Sequence, residues 1–246
     1  MKAWEYYDGI AQDYDAMYES PRWILHHKLV ERFLGRYLTP RMRVLDLGGG
    51  TGRWALFFEE HGCEVLLVDP SEKMLEVAKK KGAKNLMKAY AEDLPLPDEY
   101  FDAVNLQGDV LSYVEDREKA ISEIRRVLKS GGLVFATVDN FYSFVQQILL
   151  DFSLPDLKRL LRDRTARVGT PDRYFRTYTF KPEDLPFEGF ELLEVRGVLV
   201  FEHREETIEK HFQEIFEVEY EFSGDRNILW RADHIFFVLR KKERGD

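Results

Sequence analysis

Four of the five residues in Gly48-Gly49-Gly50-Thr51-Gly52 are glycine, and they stand between a short apolar run, Arg43–Leu47, and a helix-like stretch, Arg53–His61. Glycine reaches backbone conformations closed to other residues and lets backbone N–H groups approach a ligand with no Cβ in the way. One glycine is enough for a tight strand-to-helix turn. Four in five positions exceed that need and point to a ligand at the carboxyl edge of an α/β sheet.

The flanking residues keep the same rhythm. Glu64–Val68 reads as a second strand ending at Asp69-Pro70, followed by a helix Glu72–Lys81 with Ser71 as its cap and Gly82 as its stop. Asn85–Tyr90 is a weaker third strand and Phe101–Leu106 a fourth. Arg117–Leu128 carries an apolar stripe at helical spacing, Gly131-Gly132 reads as a tight turn, and Leu133–Val138 is a fifth strand. Five β-α pairs in a row predict a doubly wound sheet. Residues 1–39 read as amphipathic helix. Residues 139–180 break the rhythm and are too long for a bare connection, which predicts inserted helices over Tyr142–Asp151 and Leu154–Arg167. Phe190–Phe201 and Ile235–Arg240 are the last strands, with a helix of frayed end over Glu205–Phe222 between them.

Composition sets the class of protein. Of 246 residues, 44% are hydrophobic and 14% aromatic, enough to build a core and exclude disorder. No apolar run nears membrane-span length, and the N-terminus lacks an apolar signal-peptide core, so a cytoplasmic protein without a transmembrane segment is expected. A single cysteine, Cys63, excludes an internal disulfide framework and any multi-cysteine zinc site. The six histidines show no metal-ligand spacing, and adjacent His26-His27 are expected on different helix faces, so no metal is expected. The net charge of −9 argues against general nucleic-acid binding.

Three ligand classes compete for the glycine loop. A P-loop needs Lys-Ser/Thr after the last glycine, but Arg53-Trp54 follows. A dinucleotide fingerprint is met in letters by Gly50-x-Gly52-x-x-Ala55, yet the even spacing Asp46-x-Gly48-x-Gly50-x-Gly52 begins earlier, and no Tyr-x-x-x-Lys pair occurs.

That even spacing, in Val44-Leu45-Asp46-Leu47-Gly48-Gly49-Gly50-Thr51-Gly52, resembles the first motif of class I S-adenosylmethionine (SAM)-dependent methyltransferases. Val68-Asp69-Pro70-Ser71 is similar to the acidic motif after their second strand. Ala91-Glu92-Asp93-Leu94-Pro95 and Val127-Leu128-Lys129-Ser130-Gly131-Gly132-Leu133 are similar to their later motifs. Their order resembles the ubiquinone/menaquinone-biosynthesis-like branch, as does Tyr7-x-x-Ile10-Ala11-x-x-Tyr14-Asp15 near the start. The motifs cover roughly residues 5–138. The resemblance implies a Rossmann-like, seven-stranded α/β sheet, mostly parallel with an antiparallel last strand, plus a helical cap. One domain over 1–246 is expected, with a core at about 40–138 and 185–242, and with 1–39 and 139–180 as substrate cap.

The resemblance also implies the site. The cofactor would be SAM, leaving S-adenosylhomocysteine (SAH) as product, and the reaction would be an in-line methyl transfer to a small-molecule acceptor. Gly48, Gly49 and Gly50 would bring backbone to the methionine tail. Asp46 would serve the tail's ammonium or brace the loop. Asp69, beside Pro70, would take the ribose hydroxyls or cap the next helix. Met74 would lie on the adenine or in the core. Asp93, with Glu92 and Leu94, would read the adenine edge, Gln107 would face the sulfonium, and Tyr14 would close over the cofactor. Asp109, Tyr113 and a cap histidine are the candidates for a base, without an assignment among them. From Lys158 to Arg176, seven basic residues face two acids, a segment of +5. It either faces an anionic acceptor or pairs with acids as a solvated helix face. The rival readings are an NAD(P)-dependent oxidoreductase, a non-catalytic module on the same sheet, and a methyltransferase acting on RNA or protein.

Overall fold

The computed structural model describes residues 1–243. An N-terminal segment holds α1 (Ala3–Asp8), a 3-10 turn (Asp15–Tyr18) and α2 (Pro21–Gly35). The chain then alternates β1 (Arg43–Leu47), α3 (Arg53–Glu60), β2 (Glu64–Val68), α4 (Glu72–Lys81), β3 (Leu86–Met87) and β4 (Phe101–Leu106). After α5 (Val110–Tyr113) and α6 (Arg117–Val127) comes β5 (Leu128–Asp139). The insertion is α7 (Phe141–Leu150), α8 (Leu154–Asp163), β6 (Thr165–Gly169) and β7 (Tyr174–Tyr178). The chain closes with β8 (Phe190–Val198), α9 (Glu205–Lys210), α10 (Phe212–Phe222) and β9 (His234–Lys241).

Seven strands form one sheet in the order β3-β2-β1-β4-β5-β9-β8. β1 to β5 run parallel, and β9 is antiparallel to both of its neighbours. The expected doubly wound sheet with an antiparallel last strand is therefore present. Apolar stripes cover both faces. Leu25, Leu29 and Phe33 of α2 pack with Phe58 and Ile215 on one side, while Ala120, Ile124 and Val127 of α6 pack on the other. Parallel strands buried on both faces need such continuous apolar runs. The helix cap expected from the sequence is made, with Ser71 Oγ accepting from the Met74 N–H; Asp116, not foreseen as a cap, accepts from the Lys119 N–H at the start of α6.

Several boundaries differ from the sequence reading: residues 1–39 form two helices and a 3-10 turn, and β8 stops at Val198, short of Phe201. The insertion is not all helix. Arg164 adopts a left-handed conformation (φ 60°) that ends α8, and Thr165–Gly169 pairs with Tyr174–Tyr178 as an antiparallel hairpin. Its alternating Thr-Ala-Arg-Val buries Ala166 and exposes Arg167, a strand pattern hidden among basic residues. The third strand shrinks to two residues. β5 begins earlier than expected, since Lys129–Gly132 forms an irregularity within the strand between the pairs Phe101↔Leu128 and Ala103↔Leu133. The helix over Glu205–Phe222 does not fray at its end. It breaks in the middle at His211 (φ −129°).

Candidate active site

The carboxyl ends of β1, β2, β4 and β5 converge on one cavity of about 850 Å³, roofed by the N-terminal segment and by α7. Ligand sites of open α/β sheets lie at this edge.

At one end is the glycine loop. Gly48 and Gly49 donate to the Val68 carbonyl at 2.7 and 3.2 Å, and Gly50 donates to Asp69 Oδ2 at 2.9 Å. Gly48 has φ 70°, and a Cβ there would strike Val110 Cγ2 at 2.5 Å. Gly50 has φ 53°, and a Cβ there would meet nothing within 4 Å, so the loop leaves open space on its cavity side. The Asp69 carboxylate also accepts from the Ser71 N–H at 2.8 Å. It braces the start of α4 and also lines the cavity beside Pro70. Each of its oxygens keeps acceptor capacity for a ligand hydroxyl. Burial pushes Asp69 up to about 6, against the pull of its Ser71 and Gly50 hydrogen bonds.

Asp46 stands behind the loop. It is fully buried, takes no part in the cavity wall, and accepts from Asn105 Nδ2 at 2.7 Å across the β1–β4 register. Burial lifts it to about 7, with Asn105 opposing. This position favours bracing over direct contact with a ligand. Met74 is buried and also reaches the cavity. Glu92 and Asp93 line it. Glu92 Oε1 accepts from the Glu115 N–H at 2.9 Å, and Asp93 is exposed at the rim. Leu94 is not a wall residue. Its N–H is taken by Glu123, its carbonyl by Arg126, and its side chain by the core, so its backbone is spent inside the protein.

Gln107 is buried on the cavity wall, and neither of its amide atoms has a hydrogen-bond partner within the described residues. An orphaned amide of this kind is costly unless a ligand or water meets it. Tyr14 lines the cavity from above, within a ring cluster: 5.7 Å from Tyr7 and 4.8 Å from Tyr18. Its neighbour Asp15 accepts from Thr51 Oγ1 and from Lys81 Nζ, both at 2.7 Å. Asp8 accepts from Ser71 Oγ at 2.8 Å. The N-terminal segment is thus tied to the glycine loop and to the cap of α4.

The other end is polar in a way the sequence did not announce. Asp109, in a left-handed conformation (φ 63°), faces His234 Nδ1 at 3.1 Å, and Asp139 Oδ1 lies 3.8 Å from the same nitrogen. Burial pulls His234 down, but the charge and hydrogen bond of Asp109 and the charge of Asp139 overcome it and push His234 up to about 9. Asp139 is raised by burial and by Asp109, and Thr177 Oγ1 donates to its outer oxygen. One signal was available in the sequence. Asp139 ends β5 at the ligand edge, and an antiparallel last strand places His234 opposite it in register.

One expectation needs correction, and two open readings gain detail. His26 and His27 both line the cavity, with ring centroids 5.4 Å apart, because α2 lies with this edge against the opening. Burial holds both imidazoles low, His27 at about 3. Tyr113 lines the cavity, and burial pushes its hydroxyl well above the usual phenol range. None of the seven basic residues from Lys158 to Arg176 lines the cavity. Arg159 and Arg167 pair with Asp156, Arg162 with Asp163, and Arg164 with Asp184, while Arg173 donates to the Tyr6 carbonyl. Two acids from outside the segment, Asp156 and Asp184, offset part of its +5, and its position away from the cavity wall weakens it as an argument for an anionic acceptor.

Among the described residues, no helix is long and apolar enough to cross a membrane. Residues 45–136 match the family model described as a methyltransferase domain. The chain is 36% identical to an uncharacterized protein of Methanocaldococcus jannaschii over 139 residues, 56% of this chain and 63% of that one. It is 33% identical to the ubiquinone/menaquinone biosynthesis C-methyltransferase of Pectobacterium atrosepticum over 168 residues, 63% of this chain and 61% of that one. It thus spans about three fifths of the length of these curated relatives. A SAM-dependent methyltransferase structure from Thermotoga maritima shares the fold with a TM-score of 0.61 at 23% identity, covering 97% of this chain and 100% of that one. The glycine loop, the acid ending β2 and the sheet order agree with these matches: residues 45–136 are similar to a methyltransferase domain, and the sheet has the fold of a solved SAM-dependent methyltransferase.

Proposed function

We propose that the chain transfers a methyl group from SAM to a small-molecule acceptor held at the other end of the same cavity. The observation that carries this reading is the orphaned Gln107 amide, placed between the glycine-loop end and the Asp109 end of one chamber. The open space on the cavity side of Gly50 and the free acceptor capacity of Asp69 fit the cofactor's tail and ribose. When bound, SAM supplies a methyl group activated on a sulfonium, transferable by in-line displacement.

The chain's own residues do the rest. The loop from Gly48 to Gly50 presents backbone to the tail, with Asp46 stiffening it from behind. Asp69 takes the ribose hydroxyls. Met74 and Pro70 offer apolar contact, and Asp93 offers an acceptor at the adenine end. Gln107 meets the reacting centre. Tyr14, tied down through Asp15, covers the cofactor and excludes water. Fixing donor and acceptor in one chamber contributes through orientation, since well-aligned reactants can gain about 7–11 kcal/mol over free encounter.

The test is transfer of label. Incubated with methyl-labelled SAM and the small-molecule fraction of a cell extract, the chain should pass label to a discrete low-mass product. Label that appears only in macromolecules, or in nothing while SAM is bound, would overturn the small-molecule acceptor.

A further inference from the structure

Asp109, Asp139 and His234 come from three separate elements, the start of α5, the end of β5 and the start of β9, yet their ligand atoms all lie within 4.8 Å of one another. The two carboxylates are only 6% and 4% exposed. Buried carboxylates this close repel each other unless one keeps its proton or a cation is shared between them, a part that protonated His234 plays in the metal-free cluster. Around one ion, ligand atoms at about 2.0–2.2 Å from the centre sit roughly 3–4 Å apart. His234 Nδ1 is already 3.1 and 3.8 Å from the two acids.

The surroundings look built to hold these groups. Thr177 Oγ1 donates to Asp139, Ser112 Oγ accepts from the Asp139 N–H at 3.0 Å, and Thr137 Oγ1 accepts from the Gly108 N–H at 3.0 Å. Outer partners of this kind orient metal ligands. Asp109 keeps a left-handed backbone, a conformation that costs energy in a residue other than glycine and recurs at functional sites. Near the cluster, the Gln107 amide, 4% exposed, and His26 Nδ1, 6% exposed, have no partner among the described residues, and the His26 ring lies 5.1 Å from that of His234.

We propose that Asp109, Asp139 and His234 bind one divalent transition-metal ion in the wall of the acceptor end of the cavity. One imidazole and two carboxylates suit Mn2+ or Zn2+. A divalent ion balances both carboxylate charges with His234 neutral, and three protein ligands leave coordination positions open to the chamber. The sequence hid the site because its ligands are far apart along the chain and meet only through the β5–β9 register and the β4–α5 turn.

The proposal does not rest on methyl transfer, and its test uses no cofactor. Chelator-stripped full-length chain is titrated with Mn2+, following the free ion by electron paramagnetic resonance, and separately with Zn2+ by calorimetry. The expected result is one ion per chain, with affinity at least tenfold weaker in Asp139→Asn and in His234→Gln. Asp109→Asn should behave alike, since Asn also tolerates the left-handed backbone. Thr177→Val, which removes only a supporting hydroxyl, should weaken binding by a smaller factor and serves if the ligand variants fail to fold. Absence of binding by the parent chain, or binding undiminished in these variants, would show instead that the trio is a closed ion pair with its own proton.

Discussion

Gly49 shows how much a single residue here is fixed by what stands behind it. A Cβ at this position would meet Asp46 Oδ2 and Leu67 Cγ, both at 2.6 Å. Both are buried side chains held by their own neighbours, so neither can withdraw freely. Gly49→Ala should destabilise the chain by about 1–3 kcal/mol, the usual cost of overpacking a filled core. Urea unfolding of parent and variant reads this directly, and equal midpoints would mean the loop has slack. The sequence spacing left position 49 open, so the need for glycine there was not legible. The spacing Asp46-x-Gly48-x-Gly50 marked a ligand loop, while the contact making Gly49 obligatory comes from Leu67 on the neighbouring strand β2. Asp46 is similar. Sequence could not choose between ligand and brace, and the pairing with Asn105 across the sheet decides the geometry.

Among the elements, those with strong local periodicity follow the sequence, and those that depend on partners depart from it. α4, with Ser71 at its cap, Gly82 at its stop and an apolar stripe, spans Glu72–Lys81 as expected. The hairpin Thr165–Gly169/Tyr174–Tyr178 was hidden because each strand is short, is rich in basic residues and gains its ladder only from the other. α2 is anchored in the core, but the stretch before it buries few apolar side chains, and much of what holds that stretch is polar: Asp8 to Ser71 and Lys73, Asp15 to Thr51 and Lys81. Part-exposed pairs of this kind contribute up to about 1 kcal/mol each, and a hydrogen bond to the loop adds about as much. Asp15→Ala should therefore loosen the strap and weaken SAH binding by about tenfold at most, with faster proteolysis before residue 21. A variant that binds SAH as tightly as the parent and resists protease equally would remove the strap from the account.

For the whole molecule, the sheet order was legible because five β-α units leave few ways to wind. The composition of the cavity was not. Its two ends are assembled from segments more than a hundred residues apart, and the net charge of −9 says nothing of where those charges meet. The basic segment 158–176 stood out in sequence but lies outside the cavity wall and is partly paired with local acids, while the Asp109–His234–Asp139 cluster left only a faint trace in the sequence and faces the chamber.

The central claim, that this chamber binds SAM through the glycine loop and Asp69, is tested most directly by calorimetric titration with SAH in parent and Asp69→Ala chains. Loss of charge-assisted hydrogen bonds of about 1.5–3 kcal/mol predicts affinity about 10–100-fold weaker in the variant. The ribose hydroxyls need an ionised carboxylate, and burial places Asp69 at about 6. Parent affinity should accordingly be level above that pH and fall as pH drops through it, and Asp69→Ala should lose the step. Parent chain that does not bind SAH, or binds it with no dependence on Asp69, would contradict the account.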